Sequence, residues 1–396
     1  MSDELSGHKL FGRRIESLIW WQMTSLSVYS AIVVGAGPAG SCAARFIASR
    51  GHEVLLVDRK ERVGVPKQCA EGLFRSCFSE FSMDPGDFIS GTARYLEVIF
   101  PNGTSYRVED DICMLDRPRF DQHLLRLAGS AGAEIMLGQR VRRVDPQRGE
   151  IRLQNGKILE GRVIVGADGP SSNVARSLGI RNGLIPAAQV EMTWPDDDAI
   201  YAYLDKDLSP YACWIFPKNE RGTANVGCFG TASILRRFIS KYEIKGEILN
   251  RNGGAIPLGP LPGLQKGRAL LIGDAGGLTN PFTGGGLYPA ARSAQIAAEA
   301  VDRFLAGDTL DYESRVRKDL IASDVHMRAR TLLASLSNEE LDELGRGMDG
   351  LVFPGVRFAS APSLIWRALR HPGMVKMKYL PLLEVILRYC LAGKVW

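Results

Sequence analysis

A glycine turn between an apolar strand and an alanine-rich helix constrains this chain more than any other feature. Gly35-Ala36-Gly37-Pro38-Ala39-Gly40 follows the run Ala31-Ile32-Val33-Val34 and opens the helical segment Ser41 to Arg50. After Gly51-His52, Glu53-Val54-Leu55-Leu56-Val57 reads as a second strand, closed by Asp58. Isolated glycines of this spacing also occur in ordinary strand-to-helix turns. The β-α-β order around them makes the pattern a nucleotide fingerprint. In such a unit Gly35 permits the tight turn, Gly37 admits a pyrophosphate to the backbone, and Gly40 lets helix and strand pack closely. The helix N-terminus offers amides and a favourable dipole to phosphate. Asp58 is placed to accept from a ribose hydroxyl.

A second turn narrows the ligand. Leu270-Leu271-Ile272-Gly273-Asp274-Ala275 lies more than two hundred residues downstream and is followed by Pro281-Phe282-Thr283-Gly284-Gly285-Gly286-Leu287. An acid ending a buried strand can hold a ribityl hydroxyl. Amides at the next helix N-terminus can face the N1–C2=O edge of a flavin, where negative charge collects on reduction. The competing reading is a strand–loop–helix whose glycines serve compactness. Both turns together indicate FAD, clasped by distant parts of the chain.

At 396 residues there is room for two or three domains. A hydrophobic content of 45% and a charged content of 23% are those of a globular protein. The net charge of +5 suits an anionic cofactor or lipid surface. No basic run or aromatic stacking motif points to nucleic acid. The seven cysteines (Cys42, Cys69, Cys77, Cys113, Cys213, Cys228, Cys390) are scattered and odd in number, without a C-x-x-C pair. That pattern argues against a disulfide scaffold or a metal site and fits a reducing, cytoplasmic location.

No apolar stretch is long enough to span a bilayer. Residues 1–22 carry Gly12-Arg13-Arg14 and Leu18-Ile19-Trp20-Trp21 but no signal-peptide core or cleavage site. Met23 is an alternative start, so residues 1–23 are read as an extension. Tyr379 to Val395, with Glu384 and Arg388 at helical spacing, reads as a helix packed on the body. Its alternative is an interfacial helix in peripheral contact with the cytoplasmic membrane face.

Between the turns the pattern alternates. A loop, Val63 to Leu73, leads to a short helix, and residues 94–115 read as strands around Pro101-Asn102-Gly103. Pro118 opens a helix that runs through Ser130. Residues 134–165 form strands with a turn at Asn155-Gly156 and end at Gly166-Ala167-Asp168-Gly169. From Val190 to Gly230 longer, aromatic-rich strands suggest an antiparallel sheet, and Lys241 to Arg251 looks helical. Ala290 to Leu305 and the chain beyond Asp311 are helical in character. The implied division has a discontinuous FAD-binding domain over residues 24–92, 112–185 and 266–310. A substrate sheet takes residues 93–111 with 186–265, and a helical C-terminal subdomain takes residues 311–396.

From residue 30 to about 310 the order of turns resembles that of FAD-dependent aromatic hydroxylases and their relatives. The expected fold class is therefore α/β, with an aromatic-hydroxylase-like Rossmann-type domain beside an antiparallel sheet. Three local features narrow this. Pro66-Lys67-Gln68-Cys69-Ala70-Glu71-Gly72, Asp116-Arg117-Pro118-Arg119-Phe120-Asp121 and Pro210-Tyr211-Ala212-Cys213-Trp214-Ile215-Phe216-Pro217-Lys218 resemble elements of the geranylgeranyl reductase family. These are its cysteine loop, its Arg-x-x-Phe-Asp element and its Tyr-x-Trp-x-Phe-Pro motif. The likeness is greatest to the archaeal digeranylgeranylglycerophospholipid reductases. Asp58 departs from it, since relatives often carry Glu there, and so does the N-terminal extension.

The resemblance implies FAD contacts at Ala39, Asp58, Cys69, Ala70, Gly72, Arg117, Val141, Asp274, Gly286 and Leu287, added to the turn glycines Gly35, Gly37 and Gly40. It implies a prenyl lipid substrate whose alkenes take hydride from the reduced flavin and a proton. Cys69 is the candidate catalytic thiol, with plain packing as its rival role. Tyr211, Trp214 and Phe216 would line an apolar tunnel, or else only fill a core. On an ideal strand Tyr211, Cys213 and Ile215 face one way and Trp214 and Phe216 the other. Lys218, at the strand's end, reads as a solvated lysine, its alternative being contact with a phosphate or a lipid headgroup. With one nucleotide fingerprint only, electrons would come from an external donor, either a small redox protein or a reduced nicotinamide or deazaflavin. A flavin monooxygenase or halogenase-like enzyme shares both turns, and a non-catalytic FAD and prenyl-lipid carrier is a third reading.

Overall fold

The computed structural model describes residues 28–354, 379–382 and 384–385. The N-terminal extension, the alternative start at Met23 and most of the helix expected from Tyr379 to Val395 lie outside the described residues.

Apolar runs build the first sheet. Tyr29–Val34 pairs in parallel with Val54–Val57, Ile32 opposite Leu55, and on its other side with Ile158–Gly166, Ile32 opposite Ile164. Ala269–Leu271 continues the parallel ladder beyond Ile158–Gly166, and Glu134–Met136 extends the opposite edge. A parallel sheet covered on both faces demands such unbroken apolar strands. Ala31, Ile32, Val33, Leu55, Leu56, Ile164, Leu270 and Leu271 are all fully buried. The helices Pro38–Ala48 and Leu287–Leu305 pack on each other over this sheet. Their buried Ala43, Ala44, Ala291, Ala294 and Ala298 keep side-chain bulk between the two axes small.

The second sheet runs in the order 248–257, 184–193, 223–229, 213–218, 199–203, 89–99, 105–115, 352–354, with Gly72–Phe74 beside 105–115. It is mixed rather than purely antiparallel, because Ala199–Tyr203 pairs in parallel with Ile89–Ile99, and Val352–Pro354 with Ser105–Leu115. Parallel neighbours need a long crossover. Here the chain between residues 116 and 185 supplies one by passing through the first sheet. The strand pair at the sheet's near end spans 89–115, wider than the expected 93–111.

The helix expected over Lys241 to Arg251 is displaced. The helix is Ala232–Lys241, burying Leu235 and Phe238. Ile248–Pro257 is instead an edge strand paired with Leu184–Thr193. A partner sixty residues earlier in sequence decided that segment, and local propensity did not.

The two faces of this sheet differ in chemistry. Cys213, Ile215, Val226, Cys228, Val190 and Met192 form an apolar core with Leu235 and Phe238 of the helix above. The opposite, inner face carries Trp214, Phe216 and Lys218 on one strand, with Asn225, Gln189 and Glu191 on its neighbours. No helix among the described residues is long and apolar enough to cross a membrane.

The glycine turn gives a paired test. A Cβ on Gly40 would fall inside the envelope of the Gly35 carbonyl oxygen, whereas one on Gly37 meets nothing within 4 Å. Gly40→Ala should destabilise the protein by about 1–3 kcal/mol or more. Gly37→Ala should stay within about 0.5 kcal/mol of the parent. Thermal melts of the two variants check this contrast.

Candidate active site

Both glycine turns meet at one place. Gly273 adopts φ +51°, and a Cβ there would lie 2.8 Å from the Ala39 Cβ. The second turn therefore packs on the first turn of the helix Pro38–Ala48. A Cβ on Gly286 would lie 3.1 Å from Asp274 Oδ1, and Leu287, nearly buried, starts the next helix. Gly35 sits at φ +105° with its own Cβ direction blocked by the Ala167 backbone, so only glycine suits that position.

Asp58 ends its strand by accepting from Ala36 N at 2.6 Å and Lys60 N at 2.7 Å. It thereby ties strand end to turn, and a carboxylate's four acceptor directions leave room for a ribose hydroxyl. Val141 is buried at the start of its strand, and its carbonyl accepts from Asn173 Nδ2 at 2.9 Å. Two residues before it, Gln139 N donates to Asp58 O at 2.8 Å, so this segment borders the same turn.

These features fit a dinucleotide flavin. The helix Pro38–Ala48 begins without a side-chain cap or an acid in its first turn, and so does Leu287–Leu305. Uncapped amides beside an open Gly37 leave the donors of both helix ends to a phosphate and to an anionic ring edge. Among the described residues no cluster of His, Cys, Asp and Glu is suited to a metal.

The cysteine loop is fastened to the inner face of the second sheet residue by residue. Gln189 Nε2 donates to Cys69 O at 3.0 Å, and Asn225 Nδ2 donates to Ala70 O at 3.1 Å. Gly72 lies so near Phe216 that a Cβ would meet the ring at 2.6 Å. Cys69 Sγ accepts from Glu71 N at 3.2 Å, and the Arg117 guanidinium lies close enough for the two groups to act on each other electrostatically. Arg117 holds Asp121 with two bonds, at 2.9 and 3.0 Å. Burial alone would draw the Arg117 guanidinium down, but Asp121 and Cys69 push it up. Burial lifts the Asp274 carboxyl to about 6, with the Arg117 charge pulling it partly back. The Arg117 charge thus acts on both the thiol and the acid of the second turn.

Chains that share this arrangement are known. A model of the NAD(P)-binding Rossmann-like domain matches residues 33–66. Digeranylgeranylglycerophospholipid reductase 2 of Methanopyrus kandleri is 33% identical over 359 residues, covering 81% of this chain and 90% of its own. The chain belongs to the digeranylgeranylglycerophospholipid reductase family. Among solved structures, a geranylgeranyl bacteriochlorophyll reductase-like protein from Thermoplasma acidophilum superposes with a TM-score of 0.79. It is 25% identical, and the match covers 90% of this chain and 99% of that one. The halogenase PltM, solved with phloroglucinol and FAD, gives a TM-score of 0.65 at 15% identity, covering 81% and 79%, which is a likeness of fold alone.

Within this family member, the residues that hold the cysteine loop are ones that sequence reading passed over. Glu71, at φ +79° and 2% exposed, accepts at Oε2 from Lys67 Nζ (3.1 Å), Lys218 Nζ (3.1 Å) and Asn225 Nδ2 (2.8 Å). Its Oε1 accepts from Arg117 N at 3.2 Å. Glu191 takes Lys67 Nζ at 2.9 Å and Lys218 Nζ on its other oxygen. Burial opposes ionisation of Glu191, yet the two ammonium groups hold it at about 2. Lys218 is 1% exposed, which corrects its reading as a solvated lysine. The signal was available, because two-residue alternation puts Lys218 on the same face as Trp214 and Phe216. What alternation does not show is the buried Glu71 across from it.

Tyr211 needs a second correction. The strand begins at Cys213, so Tyr211 precedes it and strand alternation does not set its direction; its ring meets Phe229 at 5.6 Å. Two residues, Ala212 and Cys213, lie between Tyr211 and Trp214 where the family motif has one. Trp214 donates from Nε1 to Gln189 Oε1 at 3.0 Å and meets the Phe229 ring edge-on at 5.4 Å. Phe216 packs among Ala93, Ile112, Met114 and Ile200 beneath Gly72. The structure thus joins Trp214 and Phe216 to the cysteine loop and sets Tyr211 apart from it.

Removing one partner of the buried quartet strands the others. Lys218→Met should cost about 3–5 kcal/mol, and Lys218→Met with Glu191→Leu should regain part of that loss, read as melting temperatures in a double-mutant cycle. Asp274 gives a pH test. Its folded value of about 6 exceeds the ordinary 3.8, so the fold favours the protonated acid and loses stability as pH rises from one value through the other. Cofactor-free Asp274→Asn should therefore match the parent near pH 4 and exceed it by about 1–3 kcal/mol near pH 8, as measured by urea unfolding at both pH values.

Proposed function

We propose that this protein is an FAD-dependent reductase that saturates isoprenoid C=C bonds of digeranylgeranylglycerophospholipids. The observation that carries the reading is the placement of Arg117. Its amide donates to Glu71 of the cysteine loop at 3.2 Å, and its charge acts on both Cys69 and Asp274, beside the inner face that bears Trp214 and Phe216. The Methanopyrus kandleri relative bears the name of that activity.

When bound and reduced, the flavin supplies the hydride for one alkene carbon, and a proton on the other completes the saturation. The residues of the chain do the rest. The two uncapped helix ends and Asp274 hold the cofactor, and the cysteine loop fixes Cys69 against the ring position. Cys69 is the proton donor in this reading, its sulfur oriented by Glu71 N with the Arg117 charge nearby. Trp214, Phe229 and Phe216 offer apolar surface to a prenyl chain, worth about 0.8 kcal/mol for each buried methylene-sized group. The described residues contain one parallel nucleotide-binding sheet, which supports reduction by a separate donor. A substrate dissolved in the bilayer would bring the enzyme to the membrane surface.

Anaerobic incubation of the dithionite-reduced holoprotein with the prenyl phospholipid, followed by mass spectrometry, should show stepwise gain of two hydrogens per bond. Cys69→Ala should keep its FAD absorbance and lose roughly a hundredfold or more in rate. Full rate in that variant ends the proton-donor role. An oxygenated or halogenated product would mark a monooxygenase or halogenase, and bound lipid of unchanged mass would mark a carrier.

A further inference from the structure

The aromatic row on the inner face ends at an arginine that has no counter-charge among the described residues. Arg330, on the helix Asp324–Ser335, is 5% exposed. Its guanidinium lies 4.5 Å from the centre of the Tyr211 ring, and Nη1 donates to Leu258 O at 2.8 Å. Nη2 is buried without a hydrogen-bond partner. No carboxylate among the described residues pairs with Arg330.

A second cation sits at the same junction. Lys206 Nζ donates to Pro210 O at 2.6 Å and to Leu333 O, so it bridges the residue before Tyr211 and the turn after Arg330. It too has carbonyl partners and no acid. Burial draws the Lys206 ammonium down to about 8, the mark of a charge without an anion beside it. The neighbouring acid, Asp205, is committed to Lys241 at 2.6 Å and to Tyr242 at 3.0 Å. A buried guanidinium with a free N–H is costly unless something anionic meets it.

The position says what that anion belongs to. Tyr211 meets Phe229 at 5.6 Å, Phe229 meets Trp214 at 5.4 Å, and Gly284 of the second glycine loop lies against Phe229. From Asn225, which holds the cysteine loop, to Phe229 is roughly 13 Å along the strand. Arg330 lies beyond Tyr211, at the far end of that row. We propose that Arg330, with Lys206, forms a subsite for the phosphate of the prenyl lipid, holding the head group at one end of the aromatic row while an alkene lies at the cysteine loop. This rests on the reductase reading given above. An arginine fork suits a phosphate ester, donating two N–H groups to one anion.

The test compares a phosphate-bearing prenyl lipid with the same lipid lacking phosphate, in wild-type, Arg330→Gln and Arg330→Lys holoenzymes. Wild-type should prefer the phosphate ester. Arg330→Gln should reduce the ratio of kcat/KM between the two lipids by roughly tenfold or more, through KM, with Arg330→Lys recovering part of it. An unchanged ratio, whether or not the melting temperature falls, assigns Arg330 a structural role and overturns the proposal. Calorimetric binding of geranylgeranyl phosphate to the oxidised holoenzyme, weakened in Arg330→Gln, reads the subsite without turnover. That binding result therefore stands even where the reductase assay fails for wild-type. Inorganic phosphate alone should bind far more weakly than the prenyl ester. Equal affinity would make the ligand free phosphate and overturn the head-group assignment.

Discussion

The parallel strand Ile158–Gly166 stands between the two strands that carry the glycine turns. Its register with Tyr29–Val34 and Ala269–Leu271 sets how far apart those turns can lie. Gly273 consequently comes to rest against Ala39, and Asp274 faces Gly286. Parallel neighbours carry their C-terminal ends on the same edge, so two strand ends from distant sequence open toward one crevice. The helices that follow bring their N-termini to it. Every later feature of the site is arranged around that edge.

The cysteine loop is held to the opposite wall by charge rather than by apolar packing. Two lysines and two glutamates, with Asn225, close a network whose members are buried or nearly so. Charges taken out of water survive only when matched, and here each carboxylate meets both ammonium groups. The backbone of Glu71 takes a left-handed conformation that a side chain resists, and its carboxylate makes four hydrogen bonds that keep it there. The same residue presents its amide to Cys69. Loop geometry, the position of the thiol and the charge balance of the sheet are therefore one coupled arrangement.

Several parts of this were readable in advance because their causes are local. The glycine positions follow from steric limits within six residues, and the parallel strands follow from unbroken apolar runs. Arg117 and Asp121 are four apart on a helix, so their pairing follows from helical pitch. Other parts depended on partners that sequence order conceals. Ile248–Pro257 became a strand because Leu184–Thr193 offered it a ladder. Lys218 is buried because Glu71, far away in the chain, lies opposite. Tyr211 left the strand alternation because the strand begins two residues later, and it then stacked beneath Arg330 from a helix more than a hundred residues downstream.

The sequence by itself determined the nucleotide-binding β-α-β unit, the second acid-tipped strand, and the family to which the cysteine loop and aromatic strand point. The first two are matters of backbone sterics and hydrophobic period, which act between near neighbours, and the family rests on the resemblance of its motifs. Only the tertiary structure decided which charges are buried, what holds Cys69, and where an arginine is left without an acid. Burial is a property of the surface that remains after all elements have packed, and electrostatic cost follows burial. A lysine or an arginine therefore has no fixed meaning until its surroundings have formed.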